Sequence, residues 1–595
     1  MSANKEAWGS RVGLILAMAG NAVGLGNFLR FPVQAVQNGG GAFILPYIIS
    51  FIIMGIPLLW TEWTIGRYGG RFGNHTTPFI LNAMGRNSFW KYFGVFGIFT
   101  NIAIAAYYCY IESWTMAYVI HSIMQTFTGM SQEEVAAYFG TYVELSKSTT
   151  GIPYEAVWFY LICLVLNTYI LSRGLAGGVE KVAKIGMPLL ILFGIMLAVR
   201  AFTLGDQGAY EGCTDCNSFL GLNFLWEPQY TSLKDPKVWL AAATQIFFTL
   251  SLGMGSIHCY ASYVKKKDDI ALNSLASGWM NEFVEVVLGA SIVIPIAVGY
   301  LGLDWVLQNA GFGMAFQTMP FLFSKWGAVF GTLAGVAWFG LLFFAGITSS
   351  LAMGTPWVSF MEDEFDFSRK KAAWSFGLIT LIVGLPTVFF FQEGVLDEYD
   401  YWASSISLML FALAESILLG WVFGINKAWD ELHQGADVQL FSGFKFIMKY
   451  ITPVMLLAIL LGALFTPLNN DWQKAFKEGW ELDASSIVGK ITNKGITVNR
   501  SYFADYFESE NTGKVEDINL EAKTVTIAGK TYSFGKDDRL LVSLGAEVQK
   551  GDKIAEGSFV NNIFYIDASR LLLVLLFLFI SYLVYKASKR REMRI

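Results

Sequence analysis

Long apolar stretches separated by short polar connections set the pattern of most of the chain. They run over 12–35, 42–66, 91–124, 155–172, 183–203, 238–264, 275–301, 328–361, 372–391, 399–424, 446–466 and 569–585. An α-helix needs about 20 mostly apolar residues to cross a bilayer, so the pattern predicts twelve spans. A membrane barrel would instead alternate over segments of about ten residues. The first stretch is too long for a signal peptide, lacks a small-residue cleavage site and carries glycines at its middle. It is therefore expected to remain in the mature protein.

Basic residues orient the spans. With the N-terminus inside, Lys5, Arg11, Arg67, Arg71, Arg86, Lys91, Arg173, Lys181, Lys184, Lys265, Lys266, Lys267, Arg369, Lys370, Lys371, Lys427, Lys445 and Lys449 fall in short cytoplasmic connections, as does the tail Lys589-Arg590-Arg591. Only Lys147, Lys234, Lys237 and Lys325 fall opposite. This asymmetry predicts a multi-pass protein of the cell (inner) membrane with both termini cytoplasmic.

One connection departs from the pattern. From about Pro467 to Asp567 the chain turns polar: Val525 and Ile527 alternate with polar residues, Ala528-Gly529-Lys530 supplies a turn, and Tyr532 and Phe534 alternate on the return. These signals predict a small β-rich extracytoplasmic insert. Its run from Gly545 to Gly557 resembles the hairpins of lipoyl-type domains, the alternative being a plain loop-rich insertion. The expected division is a core over 1–466, the insert over 467–567, and a last helix with a basic tail over 568–595.

Composition narrows the function classes. Hydrophobic residues make up 54% and charged residues 15% of the 595, against roughly 25% charged in soluble chains. A net charge of -5, with no basic patch, predicts no nucleic-acid partner. Five cysteines exclude a disulfide scaffold. Without a GxxxxGK[ST] loop, ATP-driven pumping is not expected. With no assembled nucleophile and base or metal cluster, neither is an enzyme.

Two stretches are interrupted near their middles, the first by Gly20-Asn21-Ala22-Val23-Gly24-Leu25-Gly26-Asn27 and the sixth by Thr249-Leu250-Ser251-Leu252-Gly253-Met254-Gly255. Glycine weakens a helix by up to about 1 kcal/mol, and unwound backbone at bilayer depth is tolerated where it lines a cavity. A single cluster is equally consistent with close helix packing. Two clusters, in corresponding positions of two five-span halves, match the inverted-repeat pattern of secondary transporters. Half-helix ends then supply N–H groups for a carboxylate and free carbonyls for a cation.

The motifs NAVGLGNFLRFP (21–32), NGGGAFILPY (38–47), GIPLLWTEWTIGRYGG (55–70), YYCYIESW (107–114), FFTLSLGMG (247–255) and AGITSS (345–350) resemble the neurotransmitter:sodium symporter family, and within it most of all the bacterial leucine transporter. The likeness runs from about residue 5 to 466; the insert falls outside it. It implies an all-α polytopic fold of twelve transmembrane helices with a 5+5 inverted repeat, helices 1 and 6 being unwound. It also implies sodium-coupled symport of an amino acid by alternating access, with two Na+ ions as coupling ions.

Carried over residue by residue, the resemblance implies one sodium site at Ala22, Asn27, Thr249 and Asn281, completed by the substrate carboxylate. It implies a second at Gly20, Val23, Ala345, Thr348 and Ser349. All are neutral oxygen donors, as a hard monovalent cation requires. The substrate carboxylate would meet the N–H groups of Leu25 and Gly26 and the Tyr108 hydroxyl, and its ammonium the carbonyls of Ala22, Phe248 and Thr249. Ile104, Tyr108, Phe248, Ser251, Met254, Ser349 and Met353 would line the side-chain pocket. That pocket holds no formal charge, which favours a neutral, aliphatic substrate. The leucine transporter has valine at Ile104, phenylalanine at Met254 and isoleucine at Met353, so alanine, glycine, leucine and methionine all remain open. Glu285, in place of a bound anion, implies chloride-independent transport. Arg30 with Asp400 and Lys5 with Asp363 would form the outer and inner gates.

Glu62, Glu112 and Glu415 read as structural acids that satisfy the unwound backbone, and His75 and His258 as structural. Cys213 and Cys216 read as a local disulfide, with free thiols as the alternative. A competing reading of the whole chain is an amino-acid sensor that signals through the insert.

Overall fold

The computed structural model describes residues 6–143, 152–205, 216–311, 313–493, 506–520, 522–534, 538–556 and 558–594. Two compact units are resolved. One comprises Met1–Phe389, Tyr399–Ala463 and Leu575–Ile595; the other comprises Phe390–Glu398 and Leu464–Val574.

Among the described residues, ten helices are long and apolar enough to cross a membrane: Gly41–Gly70, Ser88–Ile123, Tyr154–Leu171, Leu175–Leu204, Ile270–Leu301, Gly327–Phe365, Arg369–Phe389, Val395–Leu432, Phe444–Leu464 and Ile563–Met593. Arg11–Ala22 and Gly26–Gln37, bent by 47° at their junction, make an eleventh if counted as one span. The expected twelve is not reached, because the sixth segment is divided into Pro236–Thr249 and Ser256–Ser262, each too short to cross alone.

Helix starts follow the sequence. The Ser10 hydroxyl accepts from Gly13 N–H at 3.0 Å and caps the first helix. Asp235 accepts from Lys237 N–H at 2.9 Å, with Pro236 in the first turn, and Asp269 accepts from Leu272 N–H at 2.8 Å. Each satisfies an amide that has no partner inside its helix. Among several π-helical stretches, Phe283–Gly289 and Asp400–Ser407 carry Glu285 and Asp400. Such bulges redirect the side chains they hold and recur at functional positions.

In the second unit, Tyr506–Glu508 (β1), Gly513–Asn519 (β2), Thr524–Ile527 (β3), Lys530–Ser533 (β4), Arg539–Leu540 (β5), Glu547–Val548 (β6) and Lys553–Glu556 (β7) form two sheets, ordered β4-β3-β2-β6 and β1-β7-β5. The hairpin turning at Ala528-Gly529 pairs Val525 with Tyr532 antiparallel. Val515, Val525, Ile527, Val548 and Ile554 make a small buried core. The strands β6 and β7 do not pair as a lipoyl-like hairpin: β6 joins β2, and β7 joins β1 and β5.

Cys109, Cys163 and Cys259 are free and buried. Cys213 lies outside the described residues; Cys216 is disulfide-bonded.

Candidate functional site

Glycine shapes both interruptions. The first helix ends at Ala22, Val23 turns extended, and a short helix resumes at Gly26. A Cβ on Gly24 would stand 2.6 Å from the Tyr108 hydroxyl and 3.0 Å from Ser349 Oγ, and one on Gly26 would stand 2.3 Å from the Phe248 ring. The backbone can approach these side chains only because it carries none there. In the sixth segment Ser251, Gly253 and Gly255 take φ of 54°, 71° and 92°, which carries the chain between its two helices.

The unwound backbone is held by side chains from other spans. Leu25 N–H donates to the Tyr108 hydroxyl at 2.9 Å, and Gly24 N–H to Asn27 Oδ1 at 2.8 Å. Ser251 Oγ donates to the Asn21 carbonyl at 2.9 Å and Ser256 Oγ to Asn21 Oδ1 at 3.0 Å, tying the two breaks together. Thr100 and Asn101 donate to the Met254 carbonyl at 2.9 and 2.6 Å. Buried polar backbone demands such partners.

Asn27, Thr249 and Asn281 converge. Asn27 Nδ2 donates to Asn281 Oδ1 at 2.8 Å and to Thr249 Oγ1 at 3.2 Å, and Asn281 Nδ2 reaches Thr249 Oγ1 at 2.9 Å. Glu285 completes the cluster, accepting from Asn27, Asn281 and the Thr249 hydroxyl. Gln245 Nε2 donates to it at 2.5 Å and the Tyr47 hydroxyl at 3.1 Å. Gln245 and Tyr47 escaped sequence reasoning; NGGGAFILPY contained the tyrosine, but nothing in that motif says which way it faces. The Ala22 carbonyl stands at the adjoining helix end.

A second oxygen set gathers around Ser349. Its hydroxyl lies 3.1 Å from the Gly20 carbonyl, 3.4 Å from that of Val23 and 3.2 Å from that of Ala345. Thr348 Oγ1 instead turns onto its own helix, to the carbonyls of Phe344 and Ala345 at 2.9 and 3.3 Å. A Cβ on Gly20 would lie 2.8 Å from Thr348 Cβ, so the two helices touch here. The donor chemistry suits Na+: every oxygen is neutral, and three carbonyls already share one hydroxyl as a common neighbour.

Tyr108, Phe248 and Ser349 thus ring the first break, and Ser251 reaches its edge at Asn21. Ile104, Met254 and Met353 are buried.

The gate residues are arranged otherwise than expected. Arg30 stacks on the Phe248 ring, 4.4 Å from its centroid, while Asp400 Oδ1 accepts from the Tyr107 hydroxyl at 2.7 Å. Arg30 and Asp400 form no ion pair among the described residues. Lys5 lies outside the described residues. Asp363 has one oxygen without a hydrogen bond. Beside it, Glu364 binds Arg591 of the last helix, which also donates to Asn74 Oδ1 at 2.8 Å.

Of the three expected structural acids, only Glu62 serves the break, accepting from Gly253 N–H at 2.6 Å. Glu112 accepts from Asn167 Nδ2 at 3.0 Å, and Asn167 in turn accepts from Ser350. Glu415 lies beside His258, whose ring stands between Glu415 and Glu62. Sequence reading saw no partners for His258, because both acids come from other segments; a histidine at bilayer depth is itself a signal. His75 is bonded to Ser262 Oγ at 2.8 Å and stacked on Tyr263.

Comparison with known proteins agrees with this geometry. The model of the sodium:neurotransmitter symporter family matches residues 5–131 and 125–489. A sodium-dependent transporter of Methanocaldococcus jannaschii, itself uncharacterized, is 31% identical over 466 residues, spanning 76% of this chain and 89% of that protein. Sodium-dependent nutrient amino acid transporter 1 of Drosophila melanogaster is 24% identical over 520 residues, spanning 78% of each chain. The crystal structure of MhsT in complex with L-phenylalanine matches with a TM-score of 0.66 at 28% identity, over 77% of this chain and 99% of that one. With its membrane-length helices and its two interrupted segments tied to each other, this is a multi-pass membrane protein that belongs to the sodium:neurotransmitter symporter family.

Proposed function

We propose that the protein is a secondary active symporter that uses the Na+ gradient to carry a neutral amino acid across the cell membrane. The observation that carries this reading is the meeting of the two broken segments with two neutral-oxygen clusters, one at Asn27, Thr249 and Asn281 and one around Ser349. Each cluster would hold one Na+ and exchange it with water on either side, which weak neutral ligands permit. The substrate carboxylate would take the Leu25 and Gly26 amides in company with the Tyr108 hydroxyl. Tyr108, now the acceptor of Leu25 N–H, is already on that amide. The family relatives named for sodium-dependent and amino-acid transport support the same reading.

Finer points belong to the proposal as well. Twelve spans in two inverted five-span halves would place both termini in the cytoplasm and the β-rich insert outside. A pocket of Ile104, Met254 and Met353 suits an aliphatic side chain, and the buried carboxylate of Glu285 makes chloride unnecessary. The test is uptake of labelled alanine, leucine and methionine into proteoliposomes under Na+ or choline gradients. Accumulation in Na+ alone is expected; binding without accumulation would mark a sensor. In the same assay Ile104→Ala should shift preference toward larger side chains.

A further inference from the structure

Glu62, His258 and Glu415 come from three separate segments and share one buried site. All three are fully buried, and one ligand atom from each lies within 4.8 Å of the others. His258 Nδ1 is 3.5 Å from Glu62 Oε2, and Nε2 is 3.5 Å from Glu415 Oε1. Both ring nitrogens, Glu62 Oε2 and both Glu415 oxygens lack a hydrogen bond. The one oxygen that is satisfied, Glu62 Oε1, takes Gly253 N–H in the break of the sixth segment.

Charge balance decides what such a site must hold. A neutral imidazole and two carboxylates would bury two net negative charges, which a protein interior at bilayer depth strongly resists. Two dissociable protons shared among the three groups cancel that charge. The imidazole faces a different carboxylate with each nitrogen, so N–H groups on both serve the two acids at once; a single metal ion could bind only one ring nitrogen.

Other charges are engaged elsewhere. The Ser256–Ser262 helix packs on Ile56–Gly70, Gly327–Phe365 and Arg11–Ala22, and the Phe411 ring lies beside His258. On those elements Arg67 binds Glu431, Arg11 binds Asn273 and Asp437, Glu362 binds Arg369, and Glu364 binds Arg591. Asp363, on Gly327–Phe365, keeps one oxygen without a hydrogen bond. A Cβ on Gly66 would sit 2.5 Å from the His258 carbonyl, so this helix is pressed against the one carrying Glu62.

We propose that Glu62, His258 and Glu415 form a proton-binding site that latches the broken sixth segment. Closed, the triad shares its protons in the dry interior. When Ser256–Ser262 moves away from Ile56–Gly70, Glu62 and Glu415 meet water and release a proton, and the movement that exchanges faces becomes proton-linked. This rests on the transport reading for its purpose but not for its detection.

The experiment adds Na+ to the purified full-length protein in lightly buffered detergent containing a pH-sensitive dye, with no amino acid present. Wild type is expected to exchange roughly one proton per molecule, the one that Glu62 and Glu415 release when they meet water. His258→Gln and Glu415→Gln, each checked for a single size-exclusion peak, should exchange none. No proton signal in wild type overturns the proposal. So does an equal signal in both variants, which would assign the protons to another group such as Glu285. Zinc binding lost in His258→Gln overturns it in favour of a metal site. A proton signal in a protein that accumulates no amino acid would leave the latch standing and sink the transport reading instead.

Discussion

Asn27 donates to Asn281 at 2.8 Å, fastening the resumed half of the first span to the seventh segment one turn before Glu285. The bond joins two predicted sodium ligands; Asn281 Nδ2 is turned toward Thr249 and Glu285, while Asn27 Oδ1 accepts from Gly24 N–H.

Removing that junction should weaken sodium coupling before it weakens the fold. Asn27→Ala strips one donor from Asn281 and one from Glu285 and leaves the buried Gly24 N–H without its acceptor, a loss of about 1–3 kcal/mol, and raises the Na+ concentration for half-maximal uptake about tenfold or more. Sodium titration of uptake, or of thermal stabilisation, measures it. An unchanged titration would refute the role of Asn27.

Gly24→Ala tests the closeness of the break. Its Cβ must displace the Tyr108 hydroxyl, 2.6 Å away, or the backbone itself. Substrate binding is expected to fall at least tenfold, about 1.4 kcal/mol or more, while the protein still purifies as a folded species. Wild-type affinity in Gly24→Ala would show that Tyr108 moves freely and does not define the site.

Glu285 accepts from all three of Asn27, Thr249 and Asn281, and Glu282 takes a further bond from Asn281 at 3.4 Å. Wild-type uptake should be the same in chloride and gluconate buffers. Glu285→Ser, which removes the buried charge, should depend on a small anion. Chloride stimulation of the wild type would contradict this.

Arg591 and Glu364 tie the last helix to the end of Gly327–Phe365. Glu364 is 1% exposed and Arg591 34%, so Arg591→Ala should destabilise the folded protein by about 1–2 kcal/mol, between exposed and buried pairs. Adding Glu364→Gln should recover most of that loss, because the stranded charge is gone. Unfolding monitored in detergent compares the three variants, and additive losses would show that the two residues do not act as a pair.

Much of this was legible in the chain. The apolar runs mark the spans, and the glycines at 24, 26, 253 and 255 mark where helix gives way, because few other residues allow the close approaches and positive φ values found there. Asn27, Thr249, Asn281 and Ser349 came from motif likeness and lie where oxygen clusters form. What sequence withheld depends on packing between distant segments. Gln245 and Tyr47 converge on Glu285 only once three helices are in register. Arg30 and Asp400 carry complementary charges, but charge alone does not say that they meet, and here each has taken an aromatic partner. His258 looked isolated because its two acids lie in other segments.

The buried thiols have a practical consequence. Cys109, Cys163 and Cys259 sit away from water, and Cys216 is already bonded, so among the described cysteines the native background for a water-borne maleimide is quiet. Cysteines introduced at the exposed positions Phe72 and Tyr230 would label against that background, one from each face if the spans alternate as proposed. Cys259, carried on the helix that the latch restrains, would become reactive only in molecules whose sixth segment has swung open, a native reporter of the motion itself.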